Sequence, residues 1–236
     1  LITSKCWWNI KLEPVNVVAL DKDPQGRIVT KIVRSDEPNL YLHQIYGPEQ
    51  DWMKWGHIYW IGPFVSEKYL QNQNDPNEAA SWRRFFVSVL GVKERAKAEQ
   101  IGKFAEKLVE EMLKKKGYVI DYTVQRSGFD YKASKDGKTI YVEVKGTAGE
   151  RDEITLESSE TRKALEVYDR ENEEYWVVFV DNVPDNPVVY IMNLKDMLKE
   201  MLEDPKAKGG LECKLSLNVE VIRKNYYAKW SAEELL

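Results

Sequence analysis

The chain has 236 residues, 31% of them charged, and a mean hydropathy of −0.55, which suits one or two globular domains in water. No apolar run approaches the roughly 18–20 residues that span a bilayer, and Cys6 and Cys213 form no paired motif. These features exclude a membrane-spanning protein and a disulfide framework, so we expect a cytoplasmic location. The net charge of −4 excludes nucleic-acid binding through overall basicity and requires local basic surface instead.

The N-terminal part, residues 1–92, is expected to be a β-rich segment that ends in a helix. Strands are predicted at 15–20 and 27–33, on either side of the turn signal Asp23-Pro24-Gln25-Gly26, and again at 40–46 and 52–61. A helix is predicted from Asp75-Pro76 to about Leu90, before Gly91. The sequence starts with Leu1 rather than Met, so we expect a piece of a longer protein.

Six of the eight tryptophans lie in this N-terminal part. Two interpretations are open: the rings stack on nucleic-acid bases as part of a specificity domain, or they fill a small β core. Because tryptophan and tyrosine dominate burial wherever they occur, the core interpretation is favoured.

The remainder, residues 93–236, has the pattern of an α/β domain. Apolar residues from Ile101 to Leu113 recur at i, i+3, i+4 and i+7, which predicts an amphipathic helix over 93–116. Ser158 is the predicted N-cap of a second helix that reaches about Arg170. Strands are predicted at 118–124, 129–134, 139–145, 154–156, 175–180, 188–192 and 217–223, and a further helix at 194–203. The expected order is αβββαβ, a mixed sheet flanked by helices, with a βαβ appendage.

The most informative local signal is Asp136-Gly137, a dipeptide that favours a two-residue hairpin turn. In that register Asp130 lies opposite Glu143, and opposed residues project from the same face with Cβ atoms about 4.5–5.5 Å apart. Two carboxylates placed so closely repel, and a hard divalent cation such as Mg²⁺ is the natural compensation. Lys145 follows two residues later on the same face, and Gly128 opposite it is expected to leave room for a substrate.

A glutamate of the amphipathic helix is expected to complete this site. With Ile101 at 0°, Glu106 falls at about 140°, at the border of the apolar stripe, while Glu99 and Glu110 fall at about 160° and 180°. Glu106 is therefore favoured by a narrow margin.

The segments Glu99-Gln100-Ile101-Gly102, Gly128-Phe129-Asp130-Tyr131 and Tyr141-Val142-Glu143-Val144-Lys145-Gly146-Thr147 resemble the C-terminal domain of NO VEIN-type proteins. The resemblance covers about residues 93–185 and continues through Glu160 to the strand at 176–180. That domain is placed in the PD-(D/E)xK nuclease superfamily, so the resemblance implies a restriction-endonuclease-like core. It also implies a defence or restriction protein in which an ATPase or helicase region accompanies the nuclease.

The resemblance implies a role for each matching residue. Asp130, Glu143 and the backbone carbonyl of Val144 would bind Mg²⁺, for which Mn²⁺ substitutes, and Lys145 would act on the attacking water. Glu106 matches a helix glutamate, and a substrate-side role is implied for Arg126, Ser159, Glu160 and Arg162.

The function expected on these grounds is Mg²⁺-dependent cleavage of DNA, with RNA as an open alternative and a homodimer as one open assembly. A second hypothesis is a catalytically inactive module of the same fold that docks nucleic acid or protein. The acidic pI of about 5.5 favours this second hypothesis.

Overall fold

The computed structural model describes residues 13–48, 50–122, 127–149, 151–193, 215–226 and 230–231. The chain divides into two compact units, Leu1–Lys97 and Ala98–Leu236, and each is described by itself. The helix predicted at 194–203 and the candidate residue Arg126 lie outside the described residues.

The first unit contains a three-stranded sheet in the order β2-β1-β3. Its strands are β1 (Asn16–Lys22), β2 (Ile28–Arg34) and β3 (Phe64–Val65). The turn between β1 and β2 is closed by hydrogen bonds from the Asp23 amide to the Arg27 carbonyl and from the Gly26 amide to the Asp23 carbonyl. The two strands predicted on either side of this turn are confirmed.

The strands predicted at 40–46 and 52–61 are wrong. Short 3-10 helices lie there instead, at Gln44–Tyr46 and Met53–Trp55, and Tyr41 contributes only isolated bridges. The His43 imidazole accepts a hydrogen bond from the Ile45 amide at 3.1 Å, so a side chain satisfies the backbone where a strand would use a neighbour. Burial lowers the pKa of this histidine, which favours the neutral, accepting form.

The helix predicted after Asp75 is confirmed as α1 (Pro76–Ser88). The Asp75 carboxylate accepts hydrogen bonds from the amides of Asn77 and Glu78 at 2.9 and 3.4 Å, and Pro76 occupies the first helical position. Trp52 and Trp55 are buried in this unit, which supports the core interpretation for these two tryptophans.

The second unit has a mixed α/β fold, as the sequence predicts. Its larger sheet has six described strands in the order β11-β9-β8-β6-β5-β4, in which β6 and β8 are parallel and the other neighbours antiparallel. The elements are α2 (Ala98–Lys115), β4 (Val119–Ile120), β5 (Tyr131–Lys135), β6 (Lys138–Gly146), β7 (Glu153–Leu156), α3 (Ser158–Val167), β8 (Glu173–Asp181), β9 (Val188–Asn193), β10 (Leu215–Asn218), α4 (Val219–Asn225) and β11 (Trp230–Ser231). Strands β7 and β10 form a separate antiparallel pair.

Several element boundaries differ from the predictions. Strand β4 covers only Val119–Ile120 of the strand predicted at 118–124. Helix α2 begins at Ala98, five residues after the predicted start. The late strand predicted at 217–223 ends at Asn218, whose side chain accepts a hydrogen bond from the Glu220 amide and starts α4. Helix α3 has Glu157 rather than Ser158 as its N-cap and ends at Val167.

Strand β6 lies in the interior of the sheet and is covered by α2. A Cβ atom on Gly146 would lie 2.7 Å from the Ala105 Cβ and 3.2 Å from the Ile101 carbonyl oxygen, so glycine permits this close approach. Val142 and Val144 are buried, as the alternation of β6 predicts. Among the described residues, every helix is too short or too polar to cross a membrane.

Candidate catalytic centre of the second unit

The hairpin that carries the predicted carboxylates has the predicted turn and register. Asp136 and Gly137 have φ angles of 50° and 77°, the left-handed values that a two-residue type I′ turn requires. Lys135 pairs with Lys138 and Tyr131 with Val142, so this part of the prediction is confirmed.

Asp130 lies just before β5, where the regular ladder ends. Its amide donates to the Val142 carbonyl at 2.8 Å, although Val142 already pairs with Tyr131. The Asp130 carboxylate accepts a hydrogen bond from the Val144 amide at 2.7 Å. The side chain is therefore held against β6 by the backbone of Val144, the residue whose carbonyl is predicted to bind metal.

Glu143 is the buried carboxyl group at the middle of the site. It is 6% exposed, and one of its oxygens lies 2.7 Å from the Lys145 ammonium nitrogen. Burial, and then the negative charge of Asp130, raise the pKa of Glu143 well above its usual range. Asp130 is thus near enough to repel Glu143. The ladder ends at Tyr131 and Val142, however, so the predicted pairing of Asp130 with Glu143 is not formed.

Glu160 belongs to the same cluster, from the first turn of α3. Both of its carboxylate oxygens accept hydrogen bonds from the Lys145 ammonium, at 3.0 and 2.9 Å. One of them also accepts from the Glu157 amide at 2.8 Å, as in a capping box. Burial acts to raise the pKa of Glu160, but hydrogen bonds from Glu143 and Lys145 lower it.

The resemblance implies a substrate-side role for Glu160, whereas the structure places it beside Lys145. The spacing Glu157-x-x-Glu160 at the start of a helix was the available signal, because a capping glutamate has a fixed direction. No local pattern shows that α3 begins beside β6. The ammonium of Lys145 therefore has two carboxylate partners, Glu143 and Glu160.

Gly128 has a different role from the one expected. Its φ is +75°, and a Cβ atom there would lie 2.2 Å from the Ser159 carbonyl oxygen. The first turn of α3 fills the space that was expected for a substrate. The Gly128 carbonyl accepts a hydrogen bond from the hydroxyl of buried Tyr175 at 2.8 Å, and burial raises the pKa of that hydroxyl.

One glutamate of α2, Glu110, is placed differently from the expectation. Glu106 is half-buried, and the neighbouring groups that shift the pKa of Glu143 most are Asp130, Glu160 and Lys145. Glu110 is the buried glutamate of this helix, and it binds Lys107, Lys114 and Tyr122. A metal-binding role for Glu106 stays a prediction.

The donor set suits a hard divalent cation. Asp130 and Glu143 supply oxygen atoms close enough to repel each other, the arrangement that a small cation of high charge density stabilises. Lys145 supplies the positive charge that offsets Glu143 and Glu160 in this structure. In the described part of the chain, no three His, Cys, Asp or Glu side chains are arranged as a ready-made metal site.

The two other predicted substrate-side residues that the structure describes, Ser159 and Arg162, line a cavity of about 320 Å³ beside α3. Lys163 and Tyr141 line it as well. The cavity therefore adjoins the cluster, because Ser159 precedes Glu160 on α3 and Tyr141 lies two residues before Glu143 on β6.

Comparison with known proteins identifies the segment that contains this cluster. No curated protein matches the chain. One family model, described as the C-terminal domain of Protein NO VEIN, matches residues 101–192, from the first turn of α2 to β9. All four clustered residues, Asp130, Glu143, Lys145 and Glu160, lie within this match, so over residues 101–192 the chain is similar to the C-terminal domain of Protein NO VEIN.

Proposed function

We propose that the second unit is a Mg²⁺-dependent nuclease of the PD-(D/E)xK superfamily that hydrolyses DNA phosphodiesters. The observation that carries the proposal is the convergence of Asp130, buried Glu143 and Lys145 at the open end of one hairpin. The order helix, three antiparallel strands, helix and parallel strand agrees with such a core, with β7 as an addition before α3.

Each side chain has a distinct task in this proposal. Asp130 and Glu143 would hold the cation, which supplies polarisation of the phosphate and a more acidic water. The Val144 amide keeps the Asp130 carboxylate in place. The Lys145 ammonium, a compact point charge, would orient water and stabilise negative charge on the phosphate oxygens.

Glu160 positions this lysine. Its two oxygens hold the ammonium while its Glu157 contact holds the carboxylate to the helix. A lysine tethered in this way loses little further rotamer entropy when it meets a substrate.

The test is cleavage of plasmid, linear duplex and single-stranded DNA with Mg²⁺ or Mn²⁺. We expect Asp130→Asn and Lys145→Ala to fold like the parent and to lose cleavage by about a hundredfold or more. Lys138→Ala, on the exposed start of the same strand, is the matched control and retains activity. If both site variants cut as fast as the Lys138 control, the nuclease assignment is refuted.

A second candidate is a module of the same fold that docks nucleic acid or protein without catalysis. Its support is the ion pairing of Lys145 with Glu143 and Glu160, because the ammonium offsets the negative charge of these carboxylates without a metal ion. Isothermal titration with Mn²⁺ separates the two candidates. The nuclease requires uptake that Asp130→Asn abolishes, whereas the docking module shows no uptake that depends on Asp130.

The wider setting is part of the same proposal. We propose that this unit acts within a larger defence or restriction protein, beside an ATPase or helicase region. A homodimer would allow both strands of a duplex to be cut.

A further inference from the structure

We propose that the cavity beside the catalytic cluster is a phosphate-binding subsite, which holds a nucleic-acid strand one or two nucleotides from the bond to be cut. This inference rests on the proposed nuclease function and adds a site that contacts the substrate away from the reacting phosphate. Its wall is formed by α3, by the neighbouring strands β5 and β6, and by the loop before β5.

The position of the cavity ties it to the catalytic cluster along three separate segments. Phe129 precedes Asp130, Tyr141 lies two residues before Glu143, and Ser159 precedes Glu160; the first member of each pair lines the cavity. Two residues of a strand span about 6.7 Å. Since one strand of a duplex carries a phosphate about every 3.4 Å of axial rise, this offset corresponds to one or two nucleotides.

The charge of the wall suits an anion. Lys132, Arg162 and Lys163 line the cavity against a single carboxylate, Glu166, which leaves a net charge of +2 at neutral pH. This is the local basic surface that an acidic protein needs in order to hold nucleic acid. The hydroxyl groups of Ser127 and Ser159 lie in the same wall and can donate to phosphate oxygens.

Lys163 is held in place by contacts that leave its charge available. Its ammonium nitrogen lies 4.2 Å from the ring centroid of Tyr141 and 6.0 Å from that of Phe129. A ring face attracts a cation without neutralising it. The Glu166 partner is 3.5 Å away and half-exposed, so that ion pair is weak.

The other two positively charged residues of the wall are Lys132 and Arg162. Lys132 forms an ion pair with Asp121 at 3.7 Å, a long distance for such a contact. Arg162 is exposed on α3, and its planar guanidinium can bind a phosphate through two parallel hydrogen bonds. The cavity volume of about 320 Å³ is at the lower end of the range for small-molecule sites, which suits one nucleotide unit.

The experiment measures binding of the full chain to a fluorescently labelled DNA oligonucleotide by anisotropy, without divalent cations, over a series of NaCl concentrations. The cleft variant is Arg162→Gln with Lys163→Gln. The matched control is Arg170→Gln with Lys103→Gln, which removes one arginine and one lysine from exposed sites of the same unit. A charge-keeping variant, Arg162→Lys with Lys163→Arg, tests whether charge is what matters.

We expect the cleft variant to bind at least tenfold more weakly than the control. The slope of log Kd against log salt should fall by about 0.7 for each lost phosphate contact on a single strand, and by about 0.9 on a duplex. The charge-keeping variant should retain most of the affinity. Equal affinity and slope for the cleft and control variants would overturn the inference.

The source of the phosphate is resolved by two forms of the oligonucleotide. If the cleft variant loses affinity for 5′-phosphorylated and 5′-hydroxyl DNA alike, the subsite holds an internal phosphodiester. A loss confined to phosphorylated DNA assigns it to a terminal phosphate. In both cases the cavity is a phosphate subsite.

The assay also separates failure of this inference from failure of the proposed function. A parent chain that cuts DNA, with the cleft variant behaving like the control, overturns only the subsite. A parent chain that neither cuts nor binds DNA overturns both proposals. If the parent binds DNA without cutting it and the cleft variant binds more weakly than the control, the catalytic proposal is refuted and the subsite is supported in a docking module.

Discussion

Replacing Glu110 with glutamine should reduce stability in a way that depends on pH. This side chain is 4% exposed, and its oxygens lie 2.6 Å from the Lys107 ammonium, 2.8 Å from the Lys114 ammonium and 2.6 Å from the Tyr122 hydroxyl. Burial acts to raise the pKa of Glu110, but these hydrogen bonds prevail and lower it from 4.5 to about 2. The folded structure therefore stabilises the ionised form of Glu110 relative to the unfolded chain.

The size of the effect follows from this shift. A difference of about 2.5 pKa units corresponds to about 3.4 kcal/mol of the free energy of unfolding. Lys107 and Lys114 are 50% and 43% exposed, so solvent screening reduces the expected contribution to about 1–2 kcal/mol.

The sign of the pH dependence is set by the direction of the shift. Because the folded pKa lies below the unfolded one, the contribution is complete above about pH 4.5 and is lost as the pH falls through about 2. At pH 3 less than half of it should remain. The difference in stability between the parent and Glu110→Gln is therefore large at pH 7 and small at pH 3.

Urea denaturation at pH 7 and pH 3 measures this difference directly. Glu111→Gln is the matched control, because Glu111 is the next residue of the same helix, is 43% exposed and pairs with Lys114. It should cost less than about 0.5 kcal/mol at either pH. Equal losses for the two variants at pH 7, or a Glu110 loss that is unchanged at pH 3, would refute the reasoning.

Two further substitutions test the scaffold of the site by thermal or urea unfolding. Gly128→Ala should lower the free energy of unfolding by about 2–4 kcal/mol, because the alanine would need a left-handed φ and its Cβ would overlap the Ser159 carbonyl. The control Gly137→Ala also needs a left-handed φ but has open space, so it should cost only about 1–2 kcal/mol. Equal costs would contradict the packing of the Gly128 loop on α3. Arg223→Ala should lower the free energy of unfolding by about 1–3 kcal/mol, because it removes the guanidinium that lies 2.7 Å from the largely buried carboxylate of Asp181. Adding Asp181→Asn should recover part of that loss. A double variant that is less stable than Arg223→Ala would contradict this account.

The hairpin of the site was determined locally by the sequence. Asp136-Gly137 adopts the left-handed pair of conformations that few other dipeptides tolerate, and a two-residue turn leaves one register for the strands. Asp130, Glu143 and Lys145 are therefore predictable as neighbours before any tertiary contact is known. The start of α1 at Asp75 and the apolar stripe of α2 are local for the same reason, since capping and helical periodicity act within a few residues.

Tertiary packing decided the rest of the site. Glu160 reaches Lys145 only because α3 begins beside β6, and Tyr175 meets Gly128 across 47 residues of chain. The prediction that Glu106 rather than Glu110 faces the site depends on a difference of about 40° around the helix axis. A glutamate side chain can cover that difference by changing its rotamer. Glu110 is the buried one, and the hydroxyl groups of Tyr122 and Tyr131, from outside the helix, lie within hydrogen-bond distance of its carboxylate.

The wrong strand predictions have the same cause. Residues 40–46 and 52–61 are rich in aromatic and β-branched residues, but a strand forms only where a neighbouring strand is available for pairing. In this chain those segments satisfy their backbone through short 3-10 helices and the side chain of His43 instead. The sequence by itself thus determined the turns, caps and periodic faces, because they depend on near neighbours. Only the tertiary structure decided which distant side chains share the site and its cavity, because burial and pairing depend on residues far along the chain.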